Sequence, residues 1–175
     1  MKGTVIACLQ ELVVAQAGAE AWRNVLRRGG YNPHMIFVTS ADIDDLQALT
    51  LIEGTCAELG ITSEQAGDAF GDHWIRVYAP RLYASYFAKH TRSETFLTDL
   101  NQMHARLTQA MPGARPPVFQ FSWVEPRVLR MDYQSHRSLI DVAVGMTRAL
   151  GKHYGEILDV EKTSATSMLV RFPSA

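Results

Sequence analysis

Cysteine is scarce: Cys8 and Cys56 are the two in 175 residues. They are too few and too scattered for a disulfide framework or a thiolate zinc site. Isolated cysteines of this kind usually serve as small buried hydrophobes, and they fit a reducing cytoplasm. Long apolar runs are missing as well, and no stretch approaches the ~20 residues of a membrane span. The start, Met1-Lys2-Gly3-Thr4-Val5-Ile6-Ala7-Cys8-Leu9, is interrupted by Gln10 and Glu11 too soon for a secretory signal. The expectation is a cytoplasmic protein with its N-terminus retained and no membrane insertion. Neither sign of charge dominates: 17 Lys and Arg face 18 Asp and Glu, a net charge of −1. That balance argues against nucleic acid or an anionic membrane as the main partner.

Catalytic signatures are also lacking. There is no G-x-S-x-G and no C-x-x-C, and Gly29-Gly30 has no phosphate-loop context. His34, His73, His90, His136 and His153 pair with nothing at a zinc-finger or metalloprotease spacing. No acid/base pair stands out, so no catalytic residue is assigned and the chain is not read as an enzyme. Repeats and low-complexity tracts are absent. With 47% hydrophobic and 20% charged residues the composition is that of an ordinary folded chain, and 175 residues suit one domain, 1–175.

The periodicity divides the chain into a helical front and a mixed back. Val5, Leu9, Leu12 and Val13, then Trp22, Val25 and Leu26, recur at helical spacing from Gly3 to about Arg28, with a break at Gly18. Asp42-Ile43-Asp44-Asp45 opens a second helix whose apolar face reads Leu46, Leu49, Ile52 and Cys56, closed by Gly60. Thr62 and Gln65 form a capping box for a helix running toward Trp74 and Tyr78, which Pro80 should end or kink. Thr95 to Met111 carries the stripe Phe96-Leu97, Leu100, Met103-His104, Leu107, Met111. After Pro112-Gly113-Ala114-Arg115-Pro116-Pro117 the period changes to two. Residues 118–124 and 128–133 read as a strand pair, Leu139 to Tyr154 as a helix, and residues 157–160 and 167–172 as a second pair. Helices followed by ββαββ predict an α+β fold: an N-terminal helical subdomain, about residues 1–65, packed on a C-terminal subdomain, 66–175, with an antiparallel sheet.

Two features carry chemistry. His104 lies on an apolar helical stripe, where both ring nitrogens need partners. Taken alone, a hydrogen-bonded core histidine is the better reading. A haem ligand is the sharper one, and zinc is third, because no second His or Cys sits at i+3 or i+4. The second feature is Tyr133-Gln134-Ser135-His136-Arg137, where Tyr133, Ser135 and Arg137 alternate and share one side of an extended chain. A guanidinium fork with two hydroxyls suits a carboxylate or phosphate, although an ordinary strand exit with a helix cap explains the same residues. Together the features gain force, since haem needs an axial ligand, an apolar slot and partners for two propionates.

On these residues the chain resembles the haem nitric oxide/oxygen-binding (H-NOX) family, the sensor domain shared with soluble guanylate cyclase. The resemblance runs nearly the full length. It includes Met1-Lys2-Gly3, Phe70-Gly71, Phe96-Leu97, Met103-His104, Pro116-Pro117, Tyr133-x-Ser135-x-Arg137 and Val144-Gly145-Met146. It implies a non-covalent haem b between the subdomains, with His104 as the proximal iron ligand and Tyr133, Ser135 and Arg137 on the propionates. Pro117 matches the proline that presses on the porphyrin, and Val5, Leu9, Trp74, Tyr78, Val142 and Met146 match distal positions. Oxygen-binding members carry a distal tyrosine where this chain has Val142, which donates nothing. The resemblance therefore implies a stand-alone sensor of NO and CO that excludes O₂, in which NO weakens the iron–His104 bond. Its partner would be a separate protein such as a histidine kinase or diguanylate cyclase, and no cysteine zinc site is expected. Two alternatives stay open: an O₂-binding member using Tyr78, or a haem-free module for a carboxylate ligand.

Overall fold

In the computed structural model, which describes residues 1–174, the chain forms six α-helices and one antiparallel sheet. Helix α1 (Gly3–Arg28) is bent at Gly18, which has φ 84°. Its first N–H groups have no side-chain cap; Gly3 N donates to Ala41 O (2.8 Å) and Thr4 N to Thr39 O (2.9 Å). Helix α2 (Asp45–Leu59) starts on Asp44, whose carboxylate accepts from Leu46 N and Gln47 N, and stops at left-handed Gly60. Its buried positions are Ala48, Leu51, Gly54 and Thr55, so the expected face is rotated and Leu46 is 75% exposed. Reading Leu46, Leu49 and Ile52 as the stripe failed because α2 turns Gly54 toward Val25 of α1, where a Cβ would lie 3.4 Å from Val25 O, and Ala48, Leu51 and Thr55 are buried with it.

Helix α3 (Ser63–His73) begins with the anticipated Thr62–Gln65 capping box. Pro80 does not end this helical path. A π turn over Trp74–Tyr78 lets Ala79 N reach back to Trp74 O, and Pro80 falls in the first turn of α4 (Ala79–Ala88), where a missing N–H costs nothing. The chain therefore stays helical past Pro80 through an irregular turn, and α4 has no counterpart in the sequence reading. Helix α5 (Ser93–Ala110) carries His104, and α6 (Ile140–His153) follows the first hairpin.

Strands β1 (Val118–Glu125), β2 (Val128–Gln134), β3 (Asp159–Ser164) and β4 (Ser167–Arg171) form one sheet in the order β1-β2-β4-β3, every pair antiparallel. The α+β class and antiparallel ββαββ arrangement hold. Ile157 is 91% exposed and lies before β3, which begins two residues later than its apolar run suggests.

Burial is concentrated in two clusters. One joins α1 and α2 through Ile6, Leu12, Val25, Leu26 and Leu51, and takes in Phe70. The other joins the sheet, α5 and α6 through Leu97, Met103, Leu129, Met131, Leu150 and Val170. Trp74 and Met146 pack against both, which marks the seam. There α3 and α6 cross backbone to backbone: a Cβ on Gly145 would sit 2.1 Å from Gly67 O, and one on Gly71 2.2 Å from Gly145 C. No helix is long and apolar enough to cross a membrane among the described residues.

Candidate functional site

The seam opens into a cavity of about 320 Å³, walled mainly by apolar and aromatic side chains. That size and character suit a bound organic group. His104 reaches it from α5, whose stripe also presents Leu97, Leu100, Met103 and Leu107. The turn preceding β1 brings Pro116 and Pro117 to the same wall.

The state of the His104 ring follows from its one hydrogen bond, between Nδ1 and Pro117 O at 3.1 Å. A carbonyl only accepts, so Nδ1 carries the proton and Nε2 keeps its lone pair. Burial lowers the pKa of His104, and the Pro117 bond opposes that shift without reversing it. The ring is therefore neutral at physiological pH, with one nitrogen anchored. Nε2 has no hydrogen-bond partner among the described residues, which is the arrangement a metal-ligating imidazole requires.

Tyr133, Ser135 and Arg137 also line the cavity. Each hydroxyl accepts a backbone N–H: Leu139 N donates to Tyr133 Oη and Arg137 N to Ser135 Oγ, both at 3.3 Å. These bonds shape the turn into α6 and leave both hydroxyl protons available to an acceptor. Arg137 is more engaged than its sequence suggested. Its Nε donates to Asp45 Oδ1 at 2.8 Å and its Nη1 to Arg115 O at 2.6 Å, leaving Nη2 for a ligand carboxylate.

Asp45 is a site residue that sequence reasoning missed, having treated it only as a favourable charge in a first helical turn. It also accepts from the Met1 ammonium at 2.8 Å and from His136. Burial raises its pKa, but hydrogen bonds from Arg137, the Met1 ammonium and His136 outweigh it and hold the carboxyl well below the usual range. Nothing in the sequence could reveal this, because Asp45 and Arg137 are 92 residues apart. The stabilisation from Asp45 is complete above the ordinary carboxylate value of ~3.9 and fades as pH falls below it. Asp45→Asn is expected to flatten the acid limb of the Tm-versus-pH profile below about pH 4, as read by thermal melts between neutral and strongly acidic buffers. An unchanged limb would show that Asp45 is not coupled to Arg137 in solution.

Of the expected distal residues, Val5, Trp74, Val142 and Met146 are in the cavity wall. Leu9 and Tyr78 are not. Leu9 is 5% exposed inside the first cluster. Tyr78 stacks on Trp74 (5.6 Å between centroids, 26° between planes), which in turn stacks on Phe70. Tyr78 is the last residue of the π turn that begins with Trp74, so its ring covers Trp74 from the side away from the lining residues. Tyr83, Tyr86 and Phe87 of α4 enter the wall instead. Cys8 is fully buried and its thiol is pushed up to about 12, chiefly by burial, so it is chemically inert. No group of three or more His, Cys, Asp or Glu side chains able to hold a metal occurs among the described residues.

Residues 2–162 match the haem-NO-binding family. A soluble guanylate cyclase, gcy-37 of Caenorhabditis elegans, is 23% identical over 152 residues, which is 85% of this chain and 22% of that protein. The chain thus spans about a fifth of that relative. An unliganded Fe(II) H-NOX mutant from K. algicida superposes with a TM-score of 0.88 at 17% identity, covering 99% of this chain and 97% of the other. An oxygen-binding H-NOX domain related to soluble guanylate cyclases, solved as its oxygen complex, gives 0.81 at 22% identity, covering 99% and 96%.

Proposed function

Because the chain belongs to the haem-NO-binding family, we propose that it is a haem-based sensor that takes NO and CO, excludes O₂ and signals to an effector protein. The observation that carries this reading is His104: a neutral, buried imidazole anchored through Nδ1 in the wall of an apolar cavity. Haem b, held without covalent attachment, would supply a ferrous iron able to bind the His104 imidazole and a diatomic gas.

The residues present fit such a group. His104 offers Nε2 as the ligand, and the Pro117 carbonyl fixes which nitrogen that is. Tyr133, Ser135 and the free edge of Arg137 supply hydrogen-bond donors for the two propionates, while Asp45 keeps the guanidinium oriented. Pro117 lies in the same wall as His104, where it would press on the porphyrin. On the distal side Val5, Val142 and Met146 are apolar and exclude water, and Val142 offers no donor to a ligand carrying partial negative charge. NO and CO need no such donor; O₂ does. Tyr78 lies outside the wall, but Trp74, Tyr83 and Tyr86 bring N–H and O–H donors into it, so the response to air distinguishes the O₂-binding alternative from the NO and CO sensor.

His104 ties α5 to the ligand site, so release of His104 would remove one of the ties that hold α5 in place. Such a two-state element, biased by a ligand that favours one state, is a sufficient switch. The effector would be a separate signalling protein, a histidine kinase or a diguanylate cyclase. No catalytic residue is assigned.

Absorption spectra of the ferrous, haem-loaded protein under argon, NO, CO and air test the reading. A Soret band that moves with NO and CO and stays put in air is expected. Val142→Tyr, which places a phenol in the distal wall, should make the spectrum respond to air. A band that already moves in air overturns O₂ exclusion. Absence of any band after haem is supplied overturns the sensor reading and favours the haem-free carboxylate module.

A further inference from the structure

We infer that Asn101 is a positioning residue: its carboxamide latches α5 to the edge of β1 and thereby sets where His104 stands in the cavity wall. The inference rests on the sensor reading above for its significance, and on side-chain geometry for its content. Asn101 lies one helical turn before His104, on the same face of α5. Its Nδ2 donates to Phe119 O at 2.6 Å, and Phe119 N donates to its Oδ1 at 3.0 Å. One planar amide thus satisfies both backbone groups of a single residue on an edge strand. Asparagine can do this because it carries a donor and an acceptor side by side.

The latch does two things at once. It occupies edge groups that would otherwise be open to another strand. It also works beside the His104–Pro117 bond, so that three hydrogen bonds spread over one turn of α5 hold residues 117–119. Two aligned bonds from Asn101 restrict both sliding and rotation of the helix, which the single His104 bond does not. Phe119 pairs with Tyr133 across β1 and β2, and their rings meet edge to face at 5.6 Å. The contact chain Asn101–Phe119–Tyr133 therefore connects the turn that carries the imidazole to the strand that carries the first of the three clamp residues. In the sensor, α5 shifts fully only when the Asn101 bonds break, so Asn101 governs how readily His104 departs.

The test uses Asn101→Ala and Asn101→Asp, each without and with haem. Asp keeps an acceptor for Phe119 N but sets a carboxylate oxygen against Phe119 O, so it should fail as Ala does. In the haem-free protein, hydrogen exchange at the Phe119 amide should accelerate more than tenfold in both variants, while amides of α2 and α6 keep their wild-type rates. In the ferrous, haem-loaded protein the iron–imidazole stretching band should shift or broaden in both variants. A control substitution in the α1–α2 core, Leu51→Val, should lower Tm without moving that band. Unchanged exchange at Phe119 overturns the latch itself. Faster exchange with an unmoved band shows a latch that does not position His104 and overturns the inference. Failure to load haem would overturn the sensor reading and, with it, the link from the latch to a ligand, even if exchange confirms the latch.

Discussion

Replacing His104 with glycine is expected to reduce haem affinity by more than about 100-fold, since changes to groups that merely support a metal ligand already cost about 10–100-fold. The substitution removes the imidazole and its Pro117 bond together. It leaves the apolar wall, Tyr133, Ser135 and Arg137 untouched, so the space remains shaped for the same group. Free imidazole at millimolar concentration should enter the vacated position and restore the Soret band, now without a covalent tie to α5. The rescued protein should bind NO yet show no change in hydrogen exchange along α5, because the ligand no longer pulls on the helix. Glycine in a helix costs about 1 kcal/mol, or about 2–4 °C of Tm in a chain of this size. Loss of haem alongside so small a loss in Tm would separate ligation from unfolding. A variant that retains haem with the wild-type spectrum would exclude His104 as the ligand.

Gly145→Ala is expected to lower Tm by about 6–12 °C, corresponding to about 3 kcal/mol, the upper end of the usual cost of overpacking. The upper end applies because the obstacle is backbone. The added methyl would meet Gly67 O at 2.1 Å and Gly67 C at 2.4 Å, atoms that cannot turn aside as a side chain can. Helices α3 and α6 must move apart, and Trp74, Val142 and Met146 lie along that seam. The cavity should change shape with them, so the gas-free Soret band should shift as well. Gly60→Ala provides the contrast. At Gly60 nothing lies within 4 Å, but φ is +66°, and an L-residue there pays about 1–2 kcal/mol in backbone strain alone. Its melting point should fall while its Soret band stays in place. If Gly145→Ala left both readouts unchanged, the α3–α6 contact would be looser than the backbone crossing indicates.

Local structure was legible in the sequence wherever it rests on neighbouring residues. Gly18, Gly60 and Thr62–Gln65 act where expected, since caps, breaks and left-handed turns are settled within four or five residues. The switch from period 3.6 to period 2 after Pro117 announced the sheet, and the ββαββ order followed. His104 and the alternating Tyr133, Ser135 and Arg137 were visible because each is unusual for its place: a ring on an apolar stripe, and three polar groups on one side of a strand exit.

What the tertiary structure decided are the relations between distant segments. Asp45 meets Arg137 across 92 residues, and Asn101 meets Phe119 across a break in regular structure. Neither pairing leaves a periodicity or a spacing to read. The rotated face of α2 was settled by its packing on α1, and the π turn over Trp74–Tyr78 is one that no local propensity signals. The sequence by itself determined the elements other than α4, their order and the types of residue able to hold an iron-bearing group. Which of those residues share one wall was decided by how α3 crosses α6 and how α5 lies on β1, because such placements depend on the packing of whole surfaces, not on any short run of side chains.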